Sequence, residues 1–288
     1  MSEAINNRYE FVILFDVENG NPNGDPDAGN APRINPETGY GFVTDVCLKR
    51  KIRNYVELVK KDEAGYKILI KADKSLNSKF TEAYNEAGLE TGKKGKEPKV
   101  VKEARDYMCR KYFDVRTFGA VMSTGDDPCG IVRGPVQITF ANSVSPISYE
   151  DVTITRQART TEDRQASGET EMGRKSVVPY ALYRAEGYIS AAMAQKTTGF
   201  TEEDKELLFE AIENMFEHDH SAARGKMCTR KLFVFKHESV LGNAPSSVLF
   251  DKIRVEEKNP GTPVRSFDDY IVTIDENMPQ GVTLEVKL

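Results

Sequence analysis

Residues 8–16, RYEFVILFD, hold an unbroken apolar run of β-branched and aromatic side chains between charged ends. A run this short and this rich in Val, Ile and Phe predicts a buried strand. The 24 residues that follow from Glu18, ENGNPNGDPDAGNAPRINPETGYG, are dense in Gly, Pro, Asn and Asp and predict a long loop. A central strand followed by an excursion of this length is the main constraint on the fold, because loops of that size in compact domains are usually functional.

Thr44 or Asp45 then suits an N-cap, opening a helix to about Lys61. Leu48, Ile52, Tyr55 and Val59 recur at helical spacing and are expected to face the core. Arg50 and Arg53 are expected on the opposite side with Lys49 on the flank. Residues 62–113 read as polar and helical in pieces, with a lysine-rich loop at 91–99 and a helix near 99–112. Strand-like stretches follow at 114–122, 131–142 and 151–157. The block Arg156–Lys175 has almost no apolar side chains, so it makes no core and is expected to project. Residues 202–217 form the clearest amphipathic helix, 230–239 alternates as a strand, and 269–275 with 281–287 suits a closing hairpin. The sum is one α+β sheet domain with two large insertions.

No apolar run approaches the roughly 18 residues of a membrane span, and the N-terminus has neither a basic nor an apolar signal region. Four scattered cysteines lack C-x-x-C spacing, so a soluble cytoplasmic protein is expected. Net charge is −5, yet residues 45–115 carry eighteen basic against twelve acidic side chains. That local excess suits a basic face or a solvated helical region equally well.

Several chemistries fail on spacing. GLETGKK (88–94) is short by one residue for a phosphate loop, and Lys94 stands where a hydroxyl is needed. Asn23, Asp25 and Asp27 resemble a calcium loop without its closing glutamate. His218 and His220 are two apart and do not share a helical face, and His237 reads as structural. Asp16, Glu18, Asp25 and Asp27 cluster at the end of the first strand, where carboxylates can hold Mg²⁺. The same residues cap turns, the reading favoured by the loop's many prolines and glycines. RTFGAV (116–121) half-matches the RNP1 pattern of RNA-binding sheets through Arg116, Phe118, Gly119 and Val121.

Taken together, NGNPNGDPD, LKRKIR, DVRTFGAVMS, GPVQITFANSVSPI, ITRQA…MGRK and VFKHESVLGNAPSSVLFD resemble one family: the backbone subunit of CRISPR Cascade, type I-C branch (the seventh Cas family). The resemblance implies a modified RNA-recognition (RRM, ferredoxin-like) palm spanning 8–288, a helical finger insertion at 60–113 and an extended β thumb at 150–178. It implies copies stacked head to tail on guide RNA (crRNA), which is displayed for pairing with target DNA. The remaining partners it implies are the guide-processing, large and small subunits of a type I-C complex. Lys49, Arg50 and Arg53 match the basic helix and would follow RNA phosphates. Arg116, Phe118, Arg133 and Gln137 would form the palm surface. Arg156 and Arg159 would stand at the thumb base, with Met172 a wedge at a flipped base beside Arg174 and Lys175. No cofactor, metal or catalytic residue is implied. The alternative is a metal-dependent ribonuclease using Asp16, Asp25 and Asp27, as type III relatives do.

Overall fold

The computed structural model describes residues 3–61, 63–156 and 171–288. Elements are numbered in chain order. Strand β1 (Tyr9–Gly20) lies inside an antiparallel eight-stranded sheet, between β10 (Glu171–Ile189) and β11 (Lys226–His237). Strand β14 (Val282–Val286) extends the β11 edge. On the other side β7 (Val136–Ile138) and β8 (Ala141–Pro146) pair with successive parts of β10, and β4 (Tyr40–Val43) pairs with β8. The four central strands therefore run β11-β1-β10-β8 across the sheet. Helix α1 (Asp45–Lys60) lies between the first and second of them in sequence, and α7 (Glu202–Asn214) between the third and fourth. The architecture is α+β.

The first strand reads as unbroken apolar sequence because both of its faces are covered. Phe11, Ile13, Phe15 and Val17 pack under Leu48, Ile52, Tyr55 and Val56 of α1 and Leu207, Leu208, Ala211 and Ile212 of α7. Val12 and Leu14 point to the opposite face, with Tyr180, Leu182, Phe233 and Phe235. That face is covered by α8 (Ser246–Phe250) and by the hairpin of β12 (Ile253–Glu257) and β13 (Tyr270–Ile274). Buried His237 fits this frame as a strut. Its Nδ1 accepts from the Asn243 amide at 2.7 Å, and its Nε2 lies 2.6 Å from Glu10.

A separate core supports the large insertion. Helices α2 (Leu76–Ala87) and α4 (Pro98–Lys111), joined through the one-turn α3 (Gly92–Gly95), pack Phe80, Tyr84, Ala104 and Met108 against Met122 and Val132. The last two belong to the hairpin of β5 (Gly119–Met122) and β6 (Gly130–Arg133). Small elements complete the chain: β2 (Gly24–Asp25) with β3 (Ala31–Pro32), α5 (Phe113–Phe118) and α6 (Ala191–Met193). Strand β9 (Glu150–Arg156) pairs with Glu171–Val177 of β10.

Several sequence expectations change. Residues 113–118 are a helix instead of a strand, because this segment lies between two cores. Phe113 and Phe118 face one and Val115 the other, which removes the helical stripe from view. In α1 the inward position is Val56, and Val59 is exposed. Residues 270–274 pair with β12 and 282–286 with β11, so the expected closing hairpin does not form. Among the described residues no helix is long and apolar enough to cross a membrane.

Candidate nucleic-acid interface

The long loop after β1 is built by its own polar side chains. Asn23 Oδ1 accepts from both the amide and the hydroxyl of Thr44 at 2.9 Å, and Thr44 in turn caps α1 by accepting from the Cys47 amide. Asn21 Nδ2 donates to the Asn30 carbonyl at 2.7 Å. The end of β1 also meets the segment after α7 backbone to backbone. The Asn21 amide donates to the Ala223 carbonyl at 2.8 Å, and a Cβ on Gly20 would fall 1.9 Å from the Arg224 carbonyl oxygen. Gly225, with φ +61, completes this close approach, which only glycine permits.

These contacts enclose a groove of about 510 Å³ between the loop, α1 and residues 219–224. Four cations line it, Arg33, Arg50, Lys51 and Arg224, against the single carboxylate of Asp219. Asp219 is shared by Lys51 and Arg224, whereas Arg50 has no acidic partner among the described residues. Lys175 joins the mouth, donating to the Ala222 carbonyl at 3.0 Å. Six buried side-chain polar atoms lack a hydrogen-bond partner among the described residues, and two of them, Asn21 Oδ1 and Arg33 Nε, belong to residues lining this groove. Unsatisfied buried groups are costly, and each calls for a partner that the protein's own side chains do not supply. A groove with this cation excess suits a phosphate backbone.

The other residues singled out from sequence take different roles. Lys49 pairs with Asp45 at 2.8 Å and lies 5.6 Å from the Phe118 ring centre. Arg53 is buried, with Nε 2.8 Å from Asp114 and its guanidinium 5.1 Å from the same ring. Arg53 thus fixes the insertion to α1 and does not stand on the outer side of the helix as expected. Arg116 and Phe118 are both buried in α5, so neither lies on the sheet surface expected of them. Arg133 is exposed on β6 with no acidic partner among the described residues, and Gln137 is exposed and bonds to the Gly134 carbonyl at 3.3 Å.

On the β9–β10 ribbon, Met172 and Arg174 share one face and are 73% and 71% exposed, while Gly173 and Lys175 share the other. The side chain of Arg156 and all of Arg159 lie outside the described residues. Arg33, Lys51 and Arg224 were missed from sequence. The signal available was the pair Gly20 and Gly225, which marks where two distant segments touch.

Asp16 and Asp25 are engaged elsewhere, and Asp27 is exposed. Asp16 is 2% exposed, accepting from Arg230 Nε at 2.7 Å and from the Tyr180 hydroxyl at 3.0 Å. Burial raises its pKa, opposed by Arg230 and Tyr180. Asp25 accepts from the Asp27 amide at 3.1 Å and lies 3.5 Å from Arg33. Among the described residues no group of three or more His, Cys, Asp or Glu is arranged to hold a metal ion.

The family described as CRISPR-associated protein Cas7 matches residues 7–275. The CRISPR-associated protein Cas7 of Haloferax volcanii is 40% identical over 65 residues, which is 23% of this chain and only 18% of that protein. A chain of a solved CRISPR RNA-guided surveillance complex in a pre-nicking state is 16% identical, with a TM-score of 0.49 over 79% of this chain and 75% of that one. A type III-B Cmr-beta complex bound to cognate target RNA contains a chain with 10% identity and a TM-score of 0.43, covering 79% and 61%.

Proposed function

Because the chain belongs to the family of CRISPR-associated protein Cas7, we propose that it is a guide-RNA-binding backbone subunit of a CRISPR effector complex, of the type I-C Cascade branch. In this reading copies assemble head to tail along the crRNA and hold it by phosphates and 2′-hydroxyls. Base edges stay open to pair with target DNA. A heterologous contact of this kind propagates as a helical filament whose length the RNA sets.

The observation that carries the reading is the groove in which Arg50 stands without an acidic partner beside Arg33, Lys51 and Arg224. The strand order β11-β1-β10-β8, with α1 of the first crossover and α7 of the second packed on the same sheet face, supports an RRM-like palm. The separate core of α2 and α4 supports residues 60–113 as fingers, and the β9–β10 ribbon supports 150–178 as thumb. Arg156, Arg159, Met172, Arg174 and Lys175 then act at RNA held by a neighbouring copy, and Arg133 and Gln137 remain surface candidates. The subunit is read as cytoplasmic, and as non-catalytic because Asp16 and Asp25 are committed to ion pairs and turns instead of converging.

Purification after co-expression with a cognate CRISPR array, followed by light scattering with absorbance at 260 nm, tests the proposal. The expected product is an RNA-bound oligomer whose mass follows guide length. An RNA-free monomer from every preparation overturns it.

A further inference from the structure

The cover formed by α8 and the β12–β13 hairpin does not reach the β4 end of the sheet. Across β4, β8 and β10, the residues Phe42, Asn142 and Arg184 form one cross-strand row, and the row continues to Leu14 in the covered core. Arg184 marks the rim of the cover, donating to the Phe250 carbonyl at 2.8 Å. Beyond it the same sheet face opens into a groove of about 640 Å³, lined by Ile34, Tyr40, Phe42, Phe140 and Asn142 among others. The Phe42 and Phe140 rings lie parallel within 3°, their centres 6.0 Å apart. Phe140 is 50% exposed, and the exposed Asn142 amide has no hydrogen-bond partner among the described residues.

We infer that this aromatic platform receives an unpaired nucleobase of single-stranded nucleic acid. Flat aromatic surface beside an unpartnered amide matches a base, which offers a π-face to any ring and hydrogen-bonding groups at its edge. A purely apolar protein segment would leave the amide of Asn142 unsatisfied. Location favours the same occupant. The platform and the cationic groove share residues 33–44 as a common wall: Arg33 and Thr44 line one, Ile34 and Phe42 the other. The Phe42 amide donates to the Arg33 carbonyl at 3.0 Å. A strand whose phosphates lie at Arg33 would reach the platform by crossing this wall at the β4 edge, since Phe42 faces away from α1. In that respect the inference rests on the guide-binding reading.

The test uses the full chain with a fluorescein-labelled single-stranded RNA of mixed sequence and with the same backbone made abasic. Phe140→Ala is expected to weaken binding of the base-bearing RNA roughly tenfold and to leave the abasic RNA unchanged, with Phe140→Tyr restoring affinity. Unchanged affinity for the base-bearing RNA, or equal losses on both, overturns the platform. So does a fall in protein oligomer mass with base-dependent binding intact, which would assign the patch to a contact between copies. Loss on Arg50→Ala without loss on Phe140→Ala sinks the platform alone. Wild-type protein that binds neither RNA sinks the guide-binding reading and this inference with it.

Discussion

Arg116 and Asp204, 88 residues apart, are joined by two hydrogen bonds, Nε to Oδ2 at 2.8 Å and Nη2 to Oδ1 at 2.7 Å. The same Asp204 carboxylate accepts from the amide and hydroxyl of Thr201 in the capping box of α7. Arg116 Nη1 donates to the carbonyls of Gly65 at 3.1 Å and Cys109 at 2.8 Å. Desolvation opposes the charge, but the Asp204 carboxylate raises the Arg116 pKa above its ordinary value. A residue that suggested an RNA contact from its sequence instead ties the insertion to the helix beneath the sheet.

Arg116→Ala is therefore expected to lower unfolding free energy by about 3–5 kcal/mol, because it leaves a buried carboxylate without its charge partner. Arg116→Lys should recover little, since lysine cannot make the paired contact. Urea melts measure the loss. RNA affinity of the folded fraction should stay at the wild-type level.

Arg50→Ala is expected to behave in the opposite way. Stability should change by no more than about 0.5 kcal/mol, as for most surface substitutions. The slope of log affinity against log salt should flatten by roughly 0.7 for the lost phosphate contact. Anisotropy titrations over a salt series read both affinity and slope.

Gly187→Ala should destabilise the sheet by about 1–3 kcal/mol through overpacking. Gly187 lies opposite Phe11 in the β1–β10 register, and a Cβ there would fall 2.0 Å from the Phe11 ring. The ring has no room to withdraw, being fully buried edge-on to Phe209 at 5.8 Å. Thermal melts should show that Phe11→Leu partly relieves the alanine, a non-additive pair.

Acid should loosen the insertion before the sheet. Glu86 of α2 bonds to Lys111 and Tyr107 of α4, and the Lys111 contact leads in holding its carboxyl below the usual range. A carboxylate with a depressed folded pKa contributes stability that is present above its unfolded value and is lost as pH falls through the folded one. Amide protection in α2 and α4 should therefore hold from neutral pH down to the ordinary carboxylate range and drop as pH falls below it, and Glu86→Gln should remove that dependence. An insertion whose acid response survives the substitution would show that other carboxylates control it.

The sequence made the first strand, α1 and α7 legible, because each helix presents a continuous apolar stripe to one core and the strand is apolar on both faces. The apolar run of β1 survived being buried on both faces, since strands of that length remain distinct from helices. Residues 113–118 escaped for the opposite reason: a helix of one and a half turns between two cores has no polar side to reveal its period. The site was half legible. Arg50 belonged to a helix with a clear phase, and its outward position followed from Leu48 and Ile52. Lys51, on the flank of the same helix, became part of the groove only through Asp219, 168 residues away, and no local pattern encodes that distance.

Strand β10 has nineteen residues, from the ribbon it forms with β9 at Glu171 to the buried sheet at Ile189, a span of about 60 Å. Its side chains alternate along that whole length, so ribbon and sheet are indexed to one another like teeth cut on a single rod. Inserting one residue between Val177 and Val178 would leave the sheet pairing from Gly20 onward intact and turn the ribbon over. The face carrying Met172 and Arg174 would then replace that of Lys175 at the groove mouth. The orientation of the ribbon is thus specified in the middle of the strand, by a count of residues.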